Sequence, residues 1–173
     1  MRYIVVLCIA LTLASCKPSP QKKAEEINKL EAAILESAKK HISDTTKVKQ
    51  LLGAYDNYQV EYPDDTLCPT YLMKAADFYR YLGVPDKALY CYHRVNTDFP
   101  TYPKAGLSLF LEAFTYENDK HDLAKAGQLY KAFIEKYPMN TLAKSAQFSL
   151  DNLGKTPEEL MAKIDSTSNK KVN

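Results

Sequence analysis

The sequence predicts an all-α protein built of helical hairpins stacked side by side. An aromatic–proline pair recurs at Tyr62-Pro63, Phe99-Pro100 and Tyr137-Pro138, spaced 37 and 38 residues apart, and a fixed period of this size marks a repeat architecture. Each pair closes a run whose apolar positions step by four, three and four. These are Leu51, Tyr55, Tyr58 and Tyr62, then Ala88, Tyr92, Val95 and Phe99, then Ala126, Tyr130, Phe133 and Tyr137. Such steps put all four side chains on one face of a helix. No segment alternates apolar and polar residues as a strand would, and only five glycines are present.

The elements follow in order. A first hairpin, 24–62, pairs a helix over 24–40 (Ile27, Leu30, Ile34, Ala38) with one over 47–62. A second, 69–99, opens with a helix over 69–82 carrying Leu72, Ala75, Ala76 and Tyr79, and turns at Gly83-Val84-Pro85-Asp86. A third, 102–137, opens with a helix over 102–116 carrying Leu109, Ala113 and Tyr116, and turns over 117–122. Proline after each aromatic stops the helix, because it has no N–H to donate and biases the residue before it to extended geometry. Ala76 opposite Ala88, and Ala113 opposite Ala126, would let paired backbones approach closely. An unpaired helix over 141–153 ends at Gly154, a C-cap residue. A last helix over 157–165 starts with Thr156, Pro157 and Glu159, the signature of a capping box.

These residues resemble the tetratricopeptide repeat family over 24–154, best in the second unit, where a small residue opens the returning helix, an aromatic follows and proline ends it. The period exceeds the family's usual 34 residues, with extra residues at 64–68 and within 117–122, and leucine replaces the signature tryptophan. The segment from Pro103 through Phe133-Ile134-Glu135-Lys136-Tyr137-Pro138 is similar to an envelope branch: TolA-binding division-coordination proteins and β-barrel assembly lipoproteins. The resemblance implies a short right-handed superhelix whose first helices line a concave protein-binding groove. Its candidate residues are Met73, Asp77, Arg80 and Tyr81 in the second unit, and Leu107, Phe110 and Phe114 in the third. Aromatic and Met-rich surface suits the centre of a protein interface. The same side chains would be packing residues if neighbouring helices fold over them.

The start of the chain predicts export. Arg2 precedes an apolar run over 3–14, too short to span a bilayer and of the length of a signal-peptide core. It ends in Leu13-Ala14-Ser15-Cys16, which resembles the lipobox of bacterial lipoproteins. Residues 1–15 are therefore expected to be a signal peptide, Cys16 the site of a thioether-linked diacylglyceryl group, and 16–23 a lipidated tether. Residues 166–173 are polar and read as a disordered tail. Lys17 follows the cysteine with no acidic cluster nearby, which by resemblance implies the periplasmic face of the outer membrane. Without Arg2 the chain carries 22 basic and 21 acidic residues, against the clustered basic face that nucleic acid requires. The lipid is the membrane contact, since each buried methylene contributes ~0.8 kcal/mol. Cys68 and Cys91 are expected to stay unpaired, because they would stand ~15 Å apart along the hairpin axis.

Chemistry-bearing motifs are missing from the sequence. His41, His93 and His121 are scattered, and no zinc, phosphate-loop or nucleophile-elbow motif occurs. The 117–122 segment lacks the glycine and closing glutamate of a calcium loop, and Asp64-Asp65 reads as a turn. The expectation is a non-enzymatic adaptor for an envelope protein, with no small-molecule substrate, metal or cofactor beyond the lipid. An accessory subunit of an envelope enzyme and a structural spacer are the alternatives. Cys16→Ser should abolish incorporation of a palmitate analogue in metabolic labelling. Label retained by the variant would exclude lipid at this position.

Overall fold

The structure, a computed structural model, describes residues 18–41, 44–156, 158–159 and 161–162. Among the described residues seven helices follow one another: α1 (Pro20–Lys39), α2 (Thr45–Glu61), α3 (Cys68–Tyr81), α4 (Pro85–Asp98), α5 (Ala105–Asn118), α6 (Leu123–Lys136) and α7 (Ala143–Asp151). Each packs on its neighbours in sequence, in antiparallel pairs, as stacked hairpins require. Among the described residues there is no strand.

The aromatic–proline pairs set the repeat. Tyr62, Phe99 and Tyr137 cap α2, α4 and α6 with nearly the same backbone, φ −135°, −125° and −131° and ψ 60°, 57° and 54°. Proline at the next position excludes the helical alternative. Two linked turns then follow in each loop. The carbonyls of Tyr62, Phe99 and Tyr137 accept from the N–H groups of Asp65, Tyr102 and Asn140, at 3.2, 2.9 and 3.0 Å. The carbonyls of those residues accept in turn from Cys68, Ala105 and Ala143, each at 2.9 Å. The helix expected from 102 and the one expected from 141 therefore start later, at Ala105 and Ala143, because the residues before them belong to the second turn. Within the hairpins the turns are 82–84 and 119–122, and their difference of one residue accounts for the two spacings.

Side-chain caps fix the other ends. The Ser19 hydroxyl accepts from the Lys22 N–H at 3.3 Å and Pro20 occupies the first turn, so α1 begins four residues before the expected 24. Residues 20–23, expected as tether, are thus helix. Asp44 and Asp122 cap α2 and α6 in the same way, at 3.0 and 2.9 Å. Gly83 takes φ 70° where α3 turns into α4, and the Val84 N–H reaches back to the Tyr79 carbonyl at 2.8 Å. Beyond α7, Thr156 and Glu159 exchange side-chain and backbone bonds at 2.9 and 3.3 Å, a capping box. The signal peptide, Cys16, Lys17 and the tail lie outside the described residues, as does most of 157–165.

Ala76, Ala88, Ala113 and Ala126 are fully buried where the paired helices meet. Tyr55, Tyr92 and Tyr130 fill the space beside them, and each hydroxyl crosses to a carboxylate on the first helix of its own hairpin. The acceptors are Glu31, Asp77 and Glu117, at 2.7, 2.6 and 2.7 Å. Burial, with the facing carboxylate, raises the pKa of all three phenols far above the usual value, so they remain donors. Tyr79 makes the corresponding bond between hairpins, donating to Asp56 of α2 at 2.5 Å.

Ala88→Trp should destabilise the fold by about 3 kcal/mol or more, because no space exists for the ring. Phe110→Ala should cost a similar amount, about 3 kcal/mol, since its ring lies 5.7 Å from both Tyr130 and Phe133. Denaturant midpoints check both values, and a change under 0.5 kcal/mol for Phe110→Ala would mean that this ring faces solvent.

Candidate functional site

A concavity lies between α1 and α3. Both helices pack on α2, whose Leu51 and Tyr55 contribute to its lining, but their own direct link is the Glu31–Lys74 bridge, at 2.7 and 2.9 Å. Glu31 also accepts the Tyr55 hydroxyl, so one carboxylate ties three helices together. Ile34, Leu35 and Ala38 of α1 face Phe78 of α3 across a cavity of about 590 Å³. A second hollow of about 370 Å³ shares Ile34, Ala38 and Phe78 and continues past Val48 to Tyr81 and His41. The groove is apolar along most of its length. Leu35 and Tyr81 are 58% and 79% exposed.

The residues expected from sequence divide into three groups. Tyr81 stands at the groove mouth. Arg80 meets Phe114 and Asp119 between α3 and α5, while Asp77 is bonded to α4. Asp77 holds the Tyr92 hydroxyl, Arg80 pairs with Asp119 at 2.6 Å, and the guanidinium lies 4.9 Å from the Phe114 ring. The Asp119 hydrogen bond raises the Arg80 pKa further. Met73 is a buried packing residue and not a wall of an open groove, whereas Leu107 and Phe110 are half-buried, each packed in part against a core cluster. Met73 is only 6% exposed, Leu107 packs against the first core cluster, and Phe110 against the second. The cause is the breadth of apolar surface on these helices. α3 buries side chains against both α2 and α4, and α5 is apolar around most of its circumference.

The sequence reasoning missed the α1 wall and Phe78. A signal was present, since Leu35 stands off the Ile27–Leu30–Ile34–Ala38 stripe. That signal did not reveal what Leu35 would face.

A second cluster sits between α4 and α5. Glu112 is 3% exposed and accepts from Asn96 Nδ2 at 2.7 Å, with His93 Nδ1 at 3.2 Å. A cleft of about 340 Å³ beside it is lined by Asp86, Leu89, Tyr90, Tyr116 and Lys125. Burial raises the Glu112 pKa, while His93, Asn96 and Lys125 oppose the shift. The lining brings the Glu112 carboxylate and His93 imidazole together with the Tyr90 and Tyr116 phenols and the Lys125 ammonium. Cys68 and Cys91 are free and buried elsewhere, and burial pushes their thiols up to about 11 and about 12. Among the described residues no group of three or more His, Cys, Asp or Glu is placed to hold a metal ion, and no helix is long and apolar enough to cross a membrane.

No protein-family model matches this sequence, and no curated protein sequence matches it either.

The Glu112 geometry predicts a pH dependence. Its pKa is higher folded than unfolded, so its contribution to stability is complete below the unfolded value, near 4.5, and is lost as pH rises through the folded value. Glu112→Gln keeps acceptor and donor atoms for Asn96 and His93 without the buried charge. The variant should be the more stable form at pH 7 and lose that part of the pH dependence. Urea midpoints from pH 4 to 8 test this, and a variant less stable than the parent at pH 7 contradicts it.

Proposed function

We propose that this protein is a lipid-anchored adaptor of the bacterial cell envelope, with tetratricopeptide-like hairpins that hold an apolar segment of another envelope protein. The observation that carries the reading is the groove between α1 and α3. It is bordered by apolar side chains, and Leu35 and Tyr81 at its edge are exposed without a covering element among the described residues. Stacked hairpins expose such grooves along their first helices, and an amphipathic helix or extended strand is what a groove of this kind accepts. Asp77, Arg80 and Phe114 continue the surface along α3 and α5, where Arg80 is paired with Asp119 and Asp77 accepts the Tyr92 hydroxyl. The Leu13-Ala14-Ser15-Cys16 motif supports the lipid on Cys16 and an outer-membrane location facing the periplasm. The partner belongs to division coordination or barrel assembly if the resemblance from Pro103 onward extends to function. The lipid is the one non-protein group in this reading, which includes neither catalysis nor a small-molecule substrate.

Leu35→Asp places a charge in the groove but replaces a side chain that is largely outside the core, so stability should move by about 0.5 kcal/mol or less. Capture of the partner in envelope crosslinking should fall roughly tenfold or more if Leu35 is an anchor. Unchanged capture with Leu35→Asp and with Tyr81→Ala would remove the groove from the function.

A further inference from the structure

A hollow of about 190 Å³ lies between α2 and α4, with Cys91 and Tyr79 in its lining. Gln59 of α2 also lines it and is only 5% exposed, yet its Nε2 has no hydrogen-bond partner. A buried amide in this state lacks the bonds that water supplies in the unfolded chain, and a bound group with an acceptor atom restores them. Two cations line the same hollow. The Lys87 ammonium rests 4.9 Å from the centre of the Tyr79 ring and makes no ion pair among the described residues. Arg94 donates its Nε to Asp98 at 2.8 Å, which leaves its terminal N–H groups for another acceptor. The carboxylate in the lining, Asp56, already accepts the Tyr79 hydroxyl at 2.5 Å. The hollow thus has spare donors around an acceptor that is engaged.

Size and charge narrow what completes it. Pockets that enclose a whole small-molecule ligand measure ~300–1,000 Å³, so this one admits the end of a side chain. Its lining sets Lys87 and Arg94 against Asp56, and Asp98 offsets part of the Arg94 charge from outside. One negative charge suits that balance, whereas a phosphate dianion exceeds it and meets Asp56. Val60 and Tyr90 line the hollow yet are 81% and 59% exposed, which leaves apolar surface beside the charged centre.

We propose that this hollow is a second binding subsite, which takes an acidic side chain from a peptide segment of a protein partner. One carboxylate oxygen accepts from Gln59 Nε2, and the other faces the Lys87 ammonium and the Arg94 guanidinium. Apolar residues flanking the acid pack on Val60 and Tyr90. Neither the lipid nor the α1–α3 groove takes part.

Amide spectra of the isotope-labelled full-length protein test this through the Gln59 side-chain N–H groups and the backbone N–H groups of Tyr90 and Cys91. The probes are acetyl-Leu-Glu-Leu-amide, its Gln counterpart, sodium acetate and inorganic phosphate. The Glu peptide should shift these signals saturably, with the Gln peptide and acetate weaker by about tenfold or more. Lys87→Met keeps a stem over the Tyr79 ring without the charge, and should weaken the Glu peptide to a similar extent. Gln59→Leu should weaken it too while raising the urea midpoint, because the unpartnered donor is gone. Lys131→Met, exposed on α6, should change nothing and so controls for net charge. Equal affinity for the Glu and Gln peptides, or an unchanged Kd for Lys87→Met, overturns the proposal. Acetate as tight as the Glu peptide removes the peptide as the source of the carboxylate, and phosphate tighter than either removes the carboxylate. A lower urea midpoint for Gln59→Leu makes Gln59 a packing residue and overturns its role, as does the lack of any shift with all four probes.

Discussion

Each hairpin is organised by one buried tyrosine whose hydroxyl must reach a carboxylate across the helix pair. Tyr55, Tyr92 and Tyr130 are each no more than 1% exposed, and a phenol buried that deeply without a partner would lose the hydrogen bonds that water supplies. Glu31, Asp77 and Glu117 meet that requirement from the facing helix. The bond fixes how far α2, α4 and α6 can slide or rotate against α1, α3 and α5. Fully buried alanines make the approach possible in the second and third hairpins, because a larger side chain there would hold the ring away from its acceptor. The aromatic–proline stop then places the next helix at a constant distance along the chain, so the same contact can be made again.

That construction also leaves room for a groove between α1 and α3. Between α3 and α5 the seam is filled by long side chains, the Arg80 guanidinium lying over the Phe114 ring and pairing with Asp119. Between α1 and α3 the corresponding positions include Ala32 and Ala38, which are too short to meet Phe78, and the Glu31–Lys74 bridge spans the gap without filling it. A surface ion pair of this kind contributes at most about 1 kcal/mol, so it orients the helices more than it holds them. The cavity is thus a consequence of side-chain length on a backbone arrangement that is otherwise repeated.

The α4–α5 junction differs in kind. Glu112 is a buried carboxylate that receives a hydrogen bond from Asn96 and a contact from a largely exposed histidine, and desolvation prevails over these partners. A neutral acceptor would serve the packing as well. The cost of this charge falls at the contact between the second and third hairpins, while the tyrosine–carboxylate contacts inside them are neutral on the donor side.

The sequence by itself determined the all-helical class, the three hairpins and the helix ends marked by Tyr62, Phe99 and Tyr137, because periodicity and proline geometry act within a few residues. It also placed Tyr55, Tyr79, Tyr92 and Tyr130 in the interior and Tyr81 outside it, since a single apolar stripe defines the inward face of their helices. The Ser19-Pro20 start of α1 was equally local, but the prolines flanking it read as tether. The burial of Met73 and the partial packing of Leu107 and Phe110 against the core came only from the tertiary structure. α3 and α5 each lie between two neighbours, and an apolar surface wider than one stripe has no unique inward direction until those neighbours are in place. The groove was decided at the same level. Ile34, Leu35 and Ala38 lie more than forty positions before Tyr81, and no periodicity within either helix records that packing on α2 brings both to the edges of one cleft.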